Sequence, residues 1–430
     1  MKVIIIGSGL AGPVLALALK QRNISCKIFE ARDKAAFEGG FVALAPNALR
    51  ALDRVGVYDR ISNQGWNYEE FQFVSSRNLG RIATILNGSQ NKYGYRALRI
   101  SRGVVRQTLL EVLREQQIDI QYGSKCVKIE ETDHSTVVAT FADGHTEEAD
   151  ILIGTDGIHS RVRNYIDASA IPTFSGQMGV GGSLPKMKLG PEANTVYMPC
   201  MVLGKLNSFA FMPCDYNGTR IGCFATIESQ ERTREEWNKL QSDKDTLQAY
   251  MRSHHEHERW PEIVHRASEN VDKDTLTLWP YYSVPKLESW SSASGHVVVI
   301  GDAAHAMPPH GGQGSAMAFE DALTLADTLS RIMDDRTTTK DGASASESEF
   351  ESDLDLPHAL RPWQTARQAR IEKILAFTAR SGDTRKASAS TLRQIFKEWA
   401  MWAYFLWVGE DAGLSWIYHY DTNAETFGKS

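Results

Sequence analysis

The stretch KVIIIGSGLAGPVLALALKQRNISCKIFEAR, residues 2–32, decides the fold. Residues 2–6 (KVIII) are a short apolar run with the β-branched content of a buried parallel strand. Gly7-Ser8-Gly9-Leu10-Ala11-Gly12 follows at once. Residues 13–20 (PVLALALK) then have helical character, with a proline suited to a first turn. Residues 25–29 (SCKIF) read as a second strand, with Glu30 at its end and Ala31 and Arg32 behind it. Strand, G-x-G-x-x-G, helix, strand, acid is the order of a dinucleotide-binding unit. Gly7 permits the tight turn, Gly9 lets the backbone approach a pyrophosphate, and Gly12 lets helix and strand pack closely. The helix start offers free N–H groups to phosphate. Glu30, 18 residues beyond Gly12, stands where a carboxylate accepts from ribose hydroxyls.

A chain of 430 residues can bury a large core, and two interleaved domains are expected. The net charge of −6 argues against a nucleic-acid partner. Five scattered cysteines, odd in number and without metal-ligand spacing, read as reduced thiols in a cytoplasmic setting. The first strand begins at residue 2, which leaves no room for a cleaved leader. His254, His255 and His257 share no helix face well and read as a solvated segment rather than a metal site.

Further along, a Gly-rich loop over residues 37–47 runs into a helix at 48–55. Residues 70–75 and 81–86 read as a hairpin, 102–116 as an amphipathic helix, and 126–130, 136–141 and 151–154 as strands. From residue 172 the character changes. Strands are expected at 177–183, 194–198, 208–212 and 220–227, then helix over 234–254. Residues 297–300 (VVVI) return to buried-strand chemistry, ahead of a long helix at 314–333. Residues 334–355 carry eight acids against two bases and little apolar surface, and read as a disordered loop. Helices at 360–379 and 391–408 complete the chain. The second is rich in Trp, Phe and Tyr but too short and too charged to span a bilayer.

Two further motifs share the physics of the first. Residues 150–163 (DILIGTDGIHSRVR) read as a strand, an Asp156-Gly157 turn, and a helix bearing Ser160 and Arg163. Residues 295–314 (GHVVVIGDAAHAMPPHGGQG) read as a strand ending at Gly301-Asp302, then a proline pair and a Gly-rich loop that opens a helix. A carboxylate at a strand end accepts from a polyol, and glycines let backbone N–H groups approach a ligand.

With these three motifs in this order, the chain resembles the class A flavoprotein aromatic hydroxylases, single-component FAD-dependent monooxygenases of the para-hydroxybenzoate and salicylate hydroxylase type. That family carries G-x-G-x-x-G, then D-G-x-x-S-x-x-R, then G-D-A-A-H-x-x-x-P followed by G-x-G. Residues 416–421 (WIYHYD) also resemble the closing W-x-Y-x-Y-D of its salicylate hydroxylase-like branch. The resemblance implies an α/β fold. A Rossmann-type FAD-binding domain with a parallel sheet (1–68, 96–170, 288–333) is interleaved with an α+β substrate domain bearing a mostly antiparallel sheet (69–95, 171–287). An acidic loop (334–356) and a C-terminal helical region (357–430) follow.

The resemblance also implies roles. Gly7, Gly9, Leu10, Ala11 and Gly12 hold the FAD pyrophosphate, and Glu30, with Ala31 and Arg32, the adenosine ribose. Gly40 and Val42 lie against the flavin end, and Arg102 contacts the phosphates. Gly301 and Asp302 take the ribityl chain. Pro309, Gly312, Gly314 and Ser315 border the isoalloxazine ring, where N–H groups meet negative charge on the reduced flavin. Asp156, Gly157 and Arg163 serve FAD and the docking of NADPH or NADH. Read without the resemblance, Asp156 and Ser160 are equally helix caps, and Arg102 a surface base.

The implied activity is insertion of one oxygen atom from O2, as hydroxylation or epoxidation through a flavin hydroperoxide, into a small, largely apolar or heteroaromatic metabolite. A monomer or homodimer is expected. Many relatives place an arginine in the strand after the D-G motif and a tyrosine before a proline. Here those regions read Gly179-Val180-Gly181-Gly182-Ser183 and Phe209-Ala210-Phe211-Met212-Pro213, with neither. Phe209, Phe211 and Met212 either line an apolar pocket or are core. His310 is either an acid/base or a loop histidine without a role. Two other activities stay open: an oxidase or reductase without oxygen transfer, and a silent flavin-binding interaction protein. The W-x-W-x-I-P sequence of flavin halogenases is absent.

Overall fold

The computed structural model of the chain describes residues 1–33, 40–133, 135–205, 207–253, 260–341, 355–383, 390–409 and 411–422. His254, His255 and His257 lie outside the described residues, as does the acidic stretch from 342 to 354.

The opening run forms the centre of a parallel five-stranded sheet. Its strand order is Val297–Val299, Ile151–Gly154, Lys2–Ile6, Ser25–Phe29, Ile120–Gln121. Ile4 sits between Leu152 and Lys27 in register. Val3, Ile4 and Ile5 are fully buried, because helices cover both faces of such a sheet. One of these is Ala11–Lys20, which packs on the long helix Gly314–Asp341.

A second, seven-stranded sheet runs Thr277–Ser283, Thr173–Pro185, Arg220–Glu228, Ser208–Pro213, Cys200–Leu203, Glu70–Ser75, Arg81–Leu86. Every neighbouring pair is antiparallel except Cys200–Leu203 with Glu70–Ser75. One face packs Met178, Val180, Phe209, Phe211 and Ile221 against helices Arg234–Ser242, Lys244–Ser253 and Glu262–Asn270. The opposite face turns, at Thr277 and Tyr281, toward Gly40 and His310 of the part built on the parallel sheet. A small antiparallel sheet of Phe41–Leu44, Ala97–Ser101 and Trp66–Tyr68 stands between the two large ones.

Several expectations need correction. Residues 194–198 are not a strand. Pro191–Asn194 is a 3-10 turn, and the strand lies at Cys200–Leu203, a four-residue run too short to stand out. Strands Phe41–Leu44, Thr146–Ala149 and Thr277–Ser283 also went unread. Residues 334–341 are not loop. They continue the helix to Asp341, since a polar tail on a packed helix keeps its backbone bonds without needing its own core.

The aromatic helix Thr391–Val408 has unusual polarity. Inward it presents Gln394, Glu398, Met401 and Phe405, with Met401 and Phe405 on Phe73 at one end of the seven-stranded sheet. Glu398 accepts from Ser75 Oγ (2.9 Å) and Arg77 Nη2 (2.6 Å). Outward it presents Phe396, Trp399, Trp402, Leu406 and Trp407, the last 85% exposed. Among the described residues no helix is long and apolar enough to cross a membrane.

Candidate active site

The first turn is built as its glycines require. Gly7 has φ +112°, and a Cβ there would stand 2.6 Å from Thr155 O. A Cβ on Gly12 would stand 2.1 Å from Gly7 O, whereas one on Gly9 would meet nothing within 4 Å. Two glycines are therefore fixed by packing and the third by an open space above the turn. Glu30 Oε2 accepts from Ser8 N (2.8 Å) and Ser8 Oγ (2.9 Å), and Oε1 from Arg32 N (2.9 Å). Leu10 is buried, and Ala31 and Arg32 are exposed.

Of the two arginines one turn apart on helix Arg102–Glu115, the buried one grips this loop. Arg106 donates from Nε to Ser8 O and from Nη2 to Ser8 Oγ, each at 3.0 Å. Arg102 is exposed, and its backbone N–H bonds Gly40 O (2.9 Å), tying Gly40 and Val42 to the helix start. The i,i+4 spacing of Arg102 and Arg106 was the signal available for Arg106.

The second motif is devoted largely to structure. Asp156 Oδ2 accepts from Arg161 N (2.7 Å) and Val162 N (3.3 Å), and Ser160 Oγ from Arg163 N (2.8 Å), so both cap helix Arg161–Ile166. Burial pushes the Asp156 carboxyl above its ordinary range despite these bonds. Arg163 is buried and donates to the carbonyls of Ala170, Ala303 and Ile158. It thereby ties this motif to the third. Gly157, at φ +79°, has open space beside it.

The third motif meets the first at Gly301. Its φ is +60°, and a Cβ would stand 3.0 Å from that of Ala318 and 3.6 Å from that of Ala11. Asp302 follows, exposed, with no described residue bonding its carboxylate. Pro309 and Gly312 are exposed, and Gly312 and Gly314 have open space where a Cβ would point. Ser315 lies in the first turn of the helix that begins at Gly314, whose N–H groups face outward. An open turn over Gly9, an unbonded carboxylate at Asp302 and an open helix start at Gly314 fit an extended dinucleotide such as FAD.

Beneath this loop lies a buried ion network. Asp321 accepts from Gly301 N (3.0 Å) and Arg367 Nε (2.8 Å), and lies 2.6 Å from His305 Nε2. Burial alone would raise the Asp321 carboxyl; the His305 and Arg367 charges overcome that and hold it below the usual range. Glu320 accepts from Arg367, Arg370 and Asn47. The closing WIYHYD stretch docks here: Arg367 Nη1 donates to Tyr420 Oη (2.9 Å) and Arg370 lies 3.6 Å from the Tyr420 ring centroid.

On the substrate side, pleat parity decides what faces the loop. Phe211 pairs with Cys223, Ala210 with Phe224, and Gly179 with Trp279. Phe209 and Phe211 therefore sit on the helix-packed face, fully buried, and are core rather than pocket. Met212 is on the opposite face, half-buried, with Phe224, Trp279 and Tyr281. Phe224 and Trp279 stack at 5.3 Å with planes 7° apart. Tyr281 meets the His310 ring edge-on at 5.4 Å, and Thr226 Oγ1 lies 3.2 Å from Tyr281 Oη. A Cβ on Gly179 would come within 2.9 Å of Phe224, Trp279 and Tyr281. Glycine thus replaces the expected arginine because rings lie flat across the strand. The alternation of Trp279 and Tyr281 in TLWPYYS was a readable signal.

In the small antiparallel sheet, Arg99 projects from the strand Ala97–Ser101 beside Tyr68 and Cys214. Its guanidinium carbon lies 5.5 Å from the Phe41 ring centroid, and a Cβ on neighbouring Gly40 would stand 3.7 Å from Thr277 of the substrate sheet. Among the described residues no group of His, Cys, Asp or Glu could hold a metal ion.

Residues 1–340 match the family model described as FAD binding domain. The chain is 28% identical to 6-hydroxynicotinate 3-monooxygenase of Pseudomonas fluorescens over 344 residues, covering 77% of this chain and 83% of that one. It is 29% identical to salicylate hydroxylase of Pseudomonas putida over 393 residues, covering 85% and 84%. A structure described as a salicylate hydroxylase substrate complex superposes with a TM-score of 0.75 at 23% identity, covering 99% of this chain and 96% of that chain. The chain belongs to the FAD-binding-domain family, as a flavoprotein of the class A hydroxylase type.

Proposed function

We propose that this FAD-dependent monooxygenase places one atom of O2 on a small, flat aromatic or heteroaromatic metabolite. The observation that carries this reading is the ring-paved face of Phe224, Trp279 and Tyr281 set against the Pro309–Gly311 turn and the Gly314 helix start. The relatives named for 6-hydroxynicotinate and salicylate act on molecules of that shape. When bound, FAD accepts hydride from NADPH or NADH and activates O2. The chain's own part is binding and shaping. The glycine turns admit the pyrophosphate, Asp302 is placed for the ribityl chain, and the helix start at Gly314 offers positive charge near the ring. The aromatic wall excludes water and holds the substrate plane. Gly40, Val42, Arg102, Asp156, Gly157 and Arg163 keep a cofactor role, Asp156 and Arg163 through the backbone they fix. His310 acts by closing the loop onto Tyr281 rather than by moving a proton.

Five cysteines without disulfides suit a cytoplasmic, reducing setting, and a monomer or homodimer is expected. The test is substrate-stimulated NADPH oxidation under labelled oxygen. Mass spectrometry should show a gain of one labelled oxygen atom. Stoichiometric peroxide without oxygenated product would establish an oxidase instead.

A further inference from the structure

We propose that Arg99 is the anchor for an anionic substituent of the substrate, so that the enzyme selects aromatic acids or acidic phenols over neutral arenes. This rests on the monooxygenase reading above and deepens it.

Position comes first. In the strand Ala97–Ser101, Leu98 and Ile100 point into the cofactor-domain core, so Arg99 between them points the other way. It shares that face with Trp66 and Tyr68 of the adjoining strand. Its charge acts on the Tyr68 phenol and on the Cys214 thiol, where burial outweighs it and pushes the thiol up to about 11. Cys214 lies two residues beyond Met212, the position where a tyrosine is expected in phenol-binding relatives. Arg99 thus supplies a cation beside the segment from which the expected tyrosine is missing.

Isolation comes second. Arg99 is half-buried, and the four buried arginines among the described residues are all engaged. Arg367 and Arg370 pair with Glu320 and Asp321, Arg163 with three carbonyls, and Arg106 with Ser8. Among the described residues Arg99 has no ion-pair partner and no side-chain hydrogen bond, and its Nε is buried without an acceptor. Burial pulls its pKa below the ordinary arginine value, which records the cost of holding the charge there. Such a cation is compensated when an anion enters. Nε and one Nη together form the side of the guanidinium fork that grips a carboxylate with two bonds. The Phe41 ring stands beside the guanidinium, and the Phe224–Trp279 stack, on the same sheet face as Met212, offers a flat surface for a ring behind that anion.

The test uses FAD-loaded full-length protein. Salicylate and 6-hydroxynicotinate are titrated against their amides, with perturbation of the flavin absorbance as readout. Wild type should bind the acids at least about tenfold tighter than the amides. Arg99→Met should lose that preference, with acid affinity down about 10- to 100-fold, amide affinity unchanged and FAD content unchanged. Arg99→Lys, which keeps the charge and loses the fork, should fall between; it also serves if the methionine variant does not fold. Equal affinity of wild type for acids and amides, or no binding of either acid, overturns the anchor. Loss of FAD from Arg99→Lys assigns the residue to the cofactor and overturns it too. Failure of wild type to bind FAD would instead overturn the monooxygenase reading.

Discussion

On the function proposed above, the two halves of the molecule hold their ligands in opposite ways. The cofactor half works with backbone: Gly9, Gly312 and Gly314 make room, and strand ends and helix starts supply the polar groups. The substrate half works with side chains on one face of a sheet, where Phe224, Trp279 and Tyr281 make a wall and Gly179 lets them lie flat. A backbone site fails when a side chain is added. A side-chain site fails when the face is changed.

The largest effect should come from Gly9→Trp, which fills the open space over the first turn. The protein should fold, by circular dichroism, yet purify colourless; a yellow product would break the assignment of this turn to FAD. Next is Arg367→Met, which leaves Glu320 and Asp321 buried with too little positive charge. Denaturant melts should show a loss of roughly 3–5 kcal/mol. The substrate sheet gives a mirrored pair of tests. Gly179→Val drives a side chain into the rings and should cut kcat/KM by about 10- to 100-fold with FAD content unchanged. Phe209→Leu, on the opposite face, should cost about 1 kcal/mol of stability and leave KM unchanged. If the two outcomes are exchanged, the parity of the sheet is wrong.

The smallest effect concerns acid. Asp411, bonded by Lys92 and Ser415, is held down from 3.8 to about 2. A carboxyl depressed in the folded state contributes stability above its unfolded value, and loses it as pH falls through the folded one. Asp411→Asn should therefore lower stability at pH 5, with the difference from wild type shrinking between pH 4 and pH 2 in thermal melts.

The parallel sheet and all three glycine motifs were legible because they rest on local backbone demands. Gly7 and Gly12 are required by contacts within their own turn and the adjacent strand. The substrate wall was not legible. Phe209 and Phe211 differ from Phe224 and Trp279 only in which face of a strand they occupy, and that depends on a register set by distant strands. Arg163 shows a third case. Its motif was readable, but whether it touched ligand or carbonyl was decided by Ala170 and Ala303, which no local spacing reveals.

The ion network under the Gly301–Gly314 loop bears on how the protein is made. The parallel sheet is complete in strands once Val297–Val299 has been synthesised, and the family match ends at residue 340. Yet Glu320 and Asp321 wait for Arg367 and Arg370, and Arg50 donates to Tyr418 O and Tyr420 O at 2.9 Å. In a chain halted at residue 340, Glu320 has neither of its arginines and Asp321 keeps only His305 and the Gly301 N–H. The domain that begins at the second residue therefore completes its buried ion network only with side chains and carbonyls drawn from residues 367–420.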